Sequence, residues 1–431
     1  MPLYVVVPFA CLLILIATGP LFFARFWERH YPKISIGLGA VVAIWLLVAL
    51  REDHRGARML TASAVEYFSF IALIGSLFTV SGGVLIRMHR RPSALGNVAI
   101  LLFGSVLAGF VGTTGASMLL IRPFLRFNKH RLRPYLVVFF IFTVSNVGGA
   151  LTPIGDPPLF LGYLHGVPFF WMLQHGFAPW LFTLAAILIV FFFVDRRHPH
   201  APDTVFDEGI SIRGIEQFVF LAIILGLMLV QKADVFRSLD NQVVMVASAA
   251  LMIAAAWLSH RFANRRILEE NQFGFGPLKE VAILFGGIFL TMAPALHYLG
   301  EKAPALGISE PWQFYLASGS LSSVLDNAPT YLTFLSVALG LQGIQLDSPD
   351  AVATFLAGTG SAAQLLAISL GSVFWGAMTY IGNGPNFMVK NIADGLGVKT
   401  PSFIEYVVKY SIPVLLPILL ATMALMEMGI L

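Results

Sequence analysis

The chain has 431 residues, of which 57% are hydrophobic and 12% charged, and its mean hydropathy is +0.81, which excludes a soluble globular protein. The formal net charge of +4 comes from basic residues in short stretches between apolar runs, a pattern that reports membrane topology and not nucleic-acid binding. Cys11 is the only cysteine, so a disulfide framework and a thiolate metal site are both excluded.

The apolar runs are helical in length, about 17 to 25 residues, and lack the ten-residue alternation of a barrel strand. They predict an all-α polytopic membrane protein. In chain order, spans are expected at about 3–22, 34–50, 65–86, 134–165, 172–194, 214–231, 241–259, 278–299, 352–393 and 402–430. The first, MPLYVVVPFACLLILIATGPLFF, has no basic n-region and reads as a span, not a signal peptide. The fourth would be about 45 Å long as one helix, well beyond a ~30 Å hydrocarbon core. Pro153, Pro157 and Pro158 predict that it breaks, and 352–393 is expected to break in the same way. Two further apolar pieces, about 94–127 and 312–342, are too long for one span, and their arms, roughly 16 residues or ~24 Å, are too short for two. Re-entrant hairpins are the economical reading.

Charge orients these elements. With both hairpins returning to the side they came from, one face receives 20 basic residues, among them Arg25, Arg29, Lys33, Arg87, Arg90, Arg91, Arg122, Arg126, Arg131 and Arg213. The other receives six: Arg51, Arg55, Arg58, Lys232, Arg237 and Lys302. The first face is therefore expected to be cytoplasmic, with both termini on the outer side.

The stretch Ser145–Leu161, SNVGGALTPIGDPPLFL, has a partner later in the chain. Gly149–Phe160 aligned with Gly376–Phe387 gives seven identities in twelve positions at an offset of 227, with Asp156 opposite Asn383. Thr113–Ser117 falls opposite Asp326–Thr330 at an offset of 213, and Gly75–Phe78 opposite Gly286–Phe289 at 211. Five spans per half is an odd number, so the second repeat is expected upside down relative to the first. Repeat 1 is placed at 1–197 and repeat 2 at 198–431, each with a hairpin (about 94–127, about 312–342) and a broken helix (about 134–165, about 352–393). Inverted repeats with broken helices meeting near the midplane are a mark of secondary transporters.

Asp156, in Gly155-Asp156-Pro157, is the leading site residue. A carboxylate at this depth is costly unless a sodium ion or a proton neutralises it, and competition between the two for one group is sufficient for exchange. Asp326 and Asn327 precede Ala328-Pro329, the arrangement of a helix N-cap with proline in the first turn, which is compatible with a second role at the site. Asn383 and Asn386, flanking Gly384-Pro385 after Gly382, offer amide groups. Thr113, Thr114 and Ser117 at the first hairpin tip, with Thr152 and Thr379 before the breaks, offer hydroxyls. A sodium ion held by Asp156, Thr152 and Asn383 is the metal-site expectation; no other cofactor is called for. Ser145 and Asn146 lie too far from Asp156 along a helix to touch the same ion and are expected to brace the hairpin. Arg122 and Lys390 are expected to snorkel toward the interface, and His165, His175 and His297 to sit near span ends. A substrate carboxylate about 4 Å from ionised Asp156 would meet ~4 kcal/mol of repulsion at an effective dielectric of 20. No H-E-x-x-H, G-x-S-x-G or phosphate loop is present to support an enzyme or an ATPase.

SNVGGALTPIGDPPL, together with LDNAPTY and GNGPN, resembles the motif pair of the ion transporter superfamily, which includes NhaD-type sodium/proton antiporters, citrate carriers, arsenite pumps and sodium-coupled dicarboxylate symporters. The resemblance covers nearly the whole chain. It implies a homodimer in a bacterial inner membrane, with a static scaffold and an elevator-like movement of the hairpins and broken helices. The hairpin departs from the Ser-Asn-Thr signature of the dicarboxylate symporters. The expected function is thus sodium/proton antiport, with sodium- or proton-coupled citrate or dicarboxylate transport as the alternative. The expected partners are the lipid bilayer and a small inorganic cation or carboxylate.

Overall fold

The computed structural model describes residues 1–51, 54–88, 92–198, 209–230, 240–348 and 350–431. In chain order the elements are α1 (Val6–Phe22), α2 (Ala24–Ala49), α3 (Arg55–Gly82), β1 (Leu85–Met88), α4 (Ala94–Phe127), α5 (Pro134–Thr143), α6 (Pro157–Leu164) and α7 (Trp171–Arg196). They continue with β2 (Ile210–Arg213), α8 (Gln217–Val230), α9 (Asn241–Phe262), α10 (Arg265–Glu270), α11 (Gly276–Glu301), α12 (Pro311–Ser322) and α13 (Asn327–Leu341). The chain ends with α14 (Ala351–Leu356), α15 (Ser361–Trp375), α16 (Gly384–Gly395), α17 (Phe403–Tyr406), a π-helical stretch Val407–Leu415 and α18 (Leu416–Glu427). Ten segments among the described residues are long and apolar enough to cross a membrane. The protein is a multi-pass membrane protein.

Both hairpins are present. Gly112 interrupts α4 at φ 79°, ψ 153°, a backbone open to glycine because it has no Cβ, and the chain turns back on itself there. Across the two arms, a Cβ on Gly104 would lie 2.9 Å from Leu120 Cδ1. At the open end Asn97 and Asn128 exchange amide bonds of 2.9 and 2.8 Å. In the second hairpin α12 starts with a capping box between Glu310 and Gln313, and Asp326 caps α13 by accepting from Ala328 N at 3.1 Å. Its two ends return to the start of α15, where Gln364 donates to the Ser309 carbonyl (2.6 Å) and Gln342 to the Ser361 hydroxyl (2.7 Å).

The two long helices break where proline predicts. The first passes from α5 through a 3-10 turn at Val147–Leu151 to α6, and the second from α15 through a 3-10 turn at Gly376–Met378 to α16. Asp156 and Asn383 occupy the same position, the extended residue before the restarted helix, at φ −142° and −154°.

Other boundaries differ from expectation. Arg25, Arg29 and Lys33 lie on α2 and Arg55 and Arg58 on α3, not in loops, because helices continue past the hydrocarbon edge where charged side chains reach water. The third span stops at Gly82, and Leu85–Met88 pairs antiparallel with Ile210–Arg213, a strand taken from what reads as a helix end. The span expected at 214–231 is a 14-residue helix in the described residues. Arg90, Arg91, Lys232, Arg237 and most of the link between the halves (199–208) lie outside the described residues. Arg122 does not snorkel: it is buried, with Nη2 3.4 Å from Gln272 Oε1. The Asn271–Phe273 turn brings that glutamine over it, pinned by Asn271 to the Gly82 and Val84 carbonyls. Lys390 pairs with Asp394 at 2.6 Å.

Residues assigned by charge to one face gather at one end. Arg87 pairs with Glu270 at 2.5 Å and holds that carboxyl below its ordinary range. Deeper at this end, Asp195 is fully buried and accepts from Arg131 (2.6 and 2.7 Å), Tyr135 (2.7 Å) and Asn97 (3.1 Å). This knot ties the base of the first hairpin to the start of α5 and the end of α7. Removing one partner of a buried ion pair strands the other, so Asp195→Ala should lower unfolding stability in detergent by ~3–5 kcal/mol. Lys409→Ala, which removes an exposed pair to Glu405, should leave the transition in the same thermal or denaturant assay essentially unshifted.

Candidate functional site

Four elements meet at Asp156, which is 1% exposed. The restart of a helix at Pro157-Pro158 leaves Asp156 as N-cap in extended backbone, with its carboxylate turned toward the two hairpin tips. Its Oδ1 accepts from Thr113 Oγ1 at 2.8 Å and from Asn383 Nδ2 at 3.1 Å. Its Oδ2 accepts from Asn327 Nδ2. Thr113 follows the Gly112 reversal, Asn327 is the first residue of α13, and Asn383 ends the second break. Each hairpin and each broken helix thus contributes one side chain.

All three donors are neutral. An ionised carboxylate offers about four lone-pair positions, and three are taken. Beside the remaining one, Asn327 Oδ1 is buried without a hydrogen-bond partner, which is costly for an acceptor removed from water. An unmet amide oxygen on a residue already bonded to the carboxylate is suited to a small cation or a proton. A cavity of about 30 Å³ lies against Asp156, lined by Gly112, Thr113, Thr114, Gly155 and Phe160 among others. That is room for a single water or a bare ion.

A second layer holds the breaks. Thr152 Oγ1 donates to the Gly109 carbonyl at 2.5 Å and accepts from Gly155 N at 3.2 Å. Thr379 repeats the arrangement with the Ser323 carbonyl (2.5 Å) and Gly382 N (3.2 Å). Each threonine sews a break to the first arm of its own hairpin. Gly155 and Gly382 face the carbonyls of Gly149 and Gly376 so closely that neither has space for a Cβ. Gly155 also accepts at its carbonyl from Thr113 N at 2.8 Å.

The residues expected at the site therefore separate. Asp156, Thr113, Asn327 and Asn383 are in direct contact, and Thr114 is half-buried on the small cavity. Asp326 caps α13 and makes no hydrogen bond to Asp156. Thr152 uses its hydroxyl on the backbone, so of the expected sodium ligands only Asn383 reaches Asp156. Asn386 donates to the Gly376 and Thr379 carbonyls (2.8 and 2.9 Å) and holds the second break. Ser117 meets Ser145 at 2.8 Å, which is the expected brace.

Asn146 has no hydrogen bond to Asp156, as spacing expects, but it braces the second break and not the hairpin. Its Oδ1 accepts from Asn383 Nδ2 at 3.2 Å, and its Nδ2 donates to Asn386 Oδ1 at 2.7 Å, so it stands one bond from Asp156. Helical rise does not apply across the 3-10 turn, which folds Asn146 back beside the partner break. A polar pair, Ser145-Asn146, inside an apolar run was the available signal.

The sequence profile of a family described as "Putative citrate transport" matches residues 1–427. No curated protein matches the chain.

Stripping one donor from Asp156 leaves a buried carboxylate under-satisfied. Thr113→Val should lower the stability of the detergent-solubilised protein by ~1–3 kcal/mol, and Thr113→Ser, which keeps the hydroxyl, should recover most of it. Loss in Thr113→Ser with none in Thr113→Val, which keeps a methyl group, would mean that packing and not the hydrogen bond is what matters.

Proposed function

This chain belongs to the family of that profile, and on this footing we propose that it is a secondary active transporter exchanging sodium for protons at Asp156. The single observation that carries the reading is the composition of the site: a buried carboxylate held by three neutral donors, with an unmet amide oxygen beside it and no basic side chain bonded to it among the described residues. A buried acid without a resident counter-charge calls for a mobile one. Sodium and a proton each supply it, and each excludes the other, which is the requirement for exchange.

The small volume at Asp156 supports an inorganic cation as the species bound there. The two halves, 1–197 and 198–431, act as inverted repeats in this reading. The hairpins and broken helices, sewn together by Thr152 and Thr379, move as one body against the remaining helices, and the protein is a homodimer of a bacterial inner membrane. It is a transporter and not an enzyme.

The family description favours a second reading, in which sodium or protons bound at Asp156 drive uptake of a carboxylate such as citrate. One assay separates the two. In proteoliposomes, sodium should dissipate an imposed pH gradient with no organic anion present, and Asp156→Asn should abolish this while the protein still inserts and purifies normally. If sodium leaves the gradient intact and labelled citrate enters on adding sodium or acid, the second reading replaces the first. Wild-type exchange in Asp156→Asn would remove that residue from the mechanism.

A further inference from the structure

A second, larger cavity of about 410 Å³ opens at the other end of the helices that hold Asp156, where Glu66, His165, His297, Asp347 and Asp350 lie on its wall. Helix α3 runs from one cavity to the other. Met59, Ser63 and Glu66 line the large one, Leu73 and Leu77 the small one, and Phe70 lies between. These positions recur every three or four residues and so form one stripe on the helix. The short helix α6 spans the same interval, with Asp156 before its first residue, Phe160 on the small cavity, and Leu164 and His165 on the large one. Eight helical residues cover about 12 Å.

What separates the two spaces is a layer of rings. Phe70 is fully buried, and its ring centroid lies 6.4 Å from Phe160, 4.7 Å from Phe285 and 5.5 Å from Phe289. The barrier on this seam includes these ring side chains, and side chains change rotamer quickly compared with any helix movement.

We propose that the α3–α6 seam is the route by which a small cation passes between the large cavity and Asp156, and that Phe70 and Phe160 form its gate. The proposal rests on the reading of Asp156 as a cation-exchanging group. The chemistry of the seam suits a cation. The large cavity carries three carboxylates, and no lysine or arginine lines it among the described residues; Arg55 reaches it only from behind, 2.8 Å from His297. At its inner end Glu66 lies 3.7 Å from His165, beside the aromatic layer. Ring faces attract a partly dehydrated cation and repel an anion, so the gate discriminates in the same sense as the site behind it.

The experiment uses the full chain with Cys11→Ser, the only native cysteine removed. Single cysteines are placed at Ala62, on the large cavity, and at Leu77, on the small one, and the rate of labelling by a small cationic methanethiosulfonate is followed with and without Phe70→Ala. Labelling at Ala62→Cys should be fast and unaffected by Phe70→Ala. Labelling at Leu77→Cys should rise at least tenfold in Phe70→Ala. Phe70→Leu serves as the milder opening should Phe70→Ala fail to fold, folding being checked by monodispersity and melting. The proposal is overturned if Leu77→Cys in a folded gate variant reacts no faster than with Phe70 present, or if it reacts as fast as Ala62→Cys while Phe70 is intact. The readout does not depend on which ion is exchanged. The expected labelling without sodium-driven proton flux would therefore sink the exchange reading and keep the route.

Discussion

A broken helix inside a membrane exposes backbone groups that lipid cannot satisfy, and the architecture follows from how this chain satisfies them. It breaks two helices and lets each break be closed by a hairpin from its own half and by the break of the other half. Thr152 and Thr379 bind their hairpin carbonyls at 2.5 Å each, and Asn146 reaches across to Asn383 and Asn386. Neither half completes its own break alone. The hydrogen bonds that repair the backbone also fix the side chains that converge on Asp156, so folding and site assembly are one event.

Two buried aspartates differ in the partners that hold them. Asp195 takes both guanidinium contacts of Arg131, the Tyr135 hydroxyl and the Asn97 amide. Its charge is matched by a basic side chain that cannot leave, and the group serves as a rivet between the first hairpin and α7. Asp156 is as deeply buried but has only hydroxyl and amide donors. Such donors orient a carboxylate without cancelling its charge, which is why the proposed exchange is assigned to Asp156 and not to Asp195. The contrast lies in the partner, since the acid is the same.

Access follows from geometry. Asp156 stands at the start of an eight-residue helix whose other end borders the larger cavity, and α3 lies along both. In the proposed route a packed aromatic layer separates the two cavities, and densely packed rings exchange between discrete arrangements more readily than they deform continuously. Burial of the acid and intermittent contact with water are thereby compatible.

Composition and apolar run length determined by themselves that the chain is a polytopic helical membrane protein, because the thickness of hydrocarbon sets the length of every span. Proline placement marked the first break, the repeat marked the second, and arm length marked both hairpins, since span length and helix-breaking residues are local properties of the chain. Asp156 and Asn383 were legible as partners because the repeat put them at equivalent positions. Tertiary structure decided the rest. Which hydroxyls face the acid and which repair backbone could not be read from Thr113 and Thr152, because both lie beside a chain reversal and what packs opposite each is set by the tertiary structure. Asn146 escaped because helical spacing loses its meaning across a break. The pairing of Leu85–Met88 with Ile210–Arg213 escaped for a related reason: strand partners 122–128 residues apart are chosen by where helices deliver their ends, and no local pattern records that.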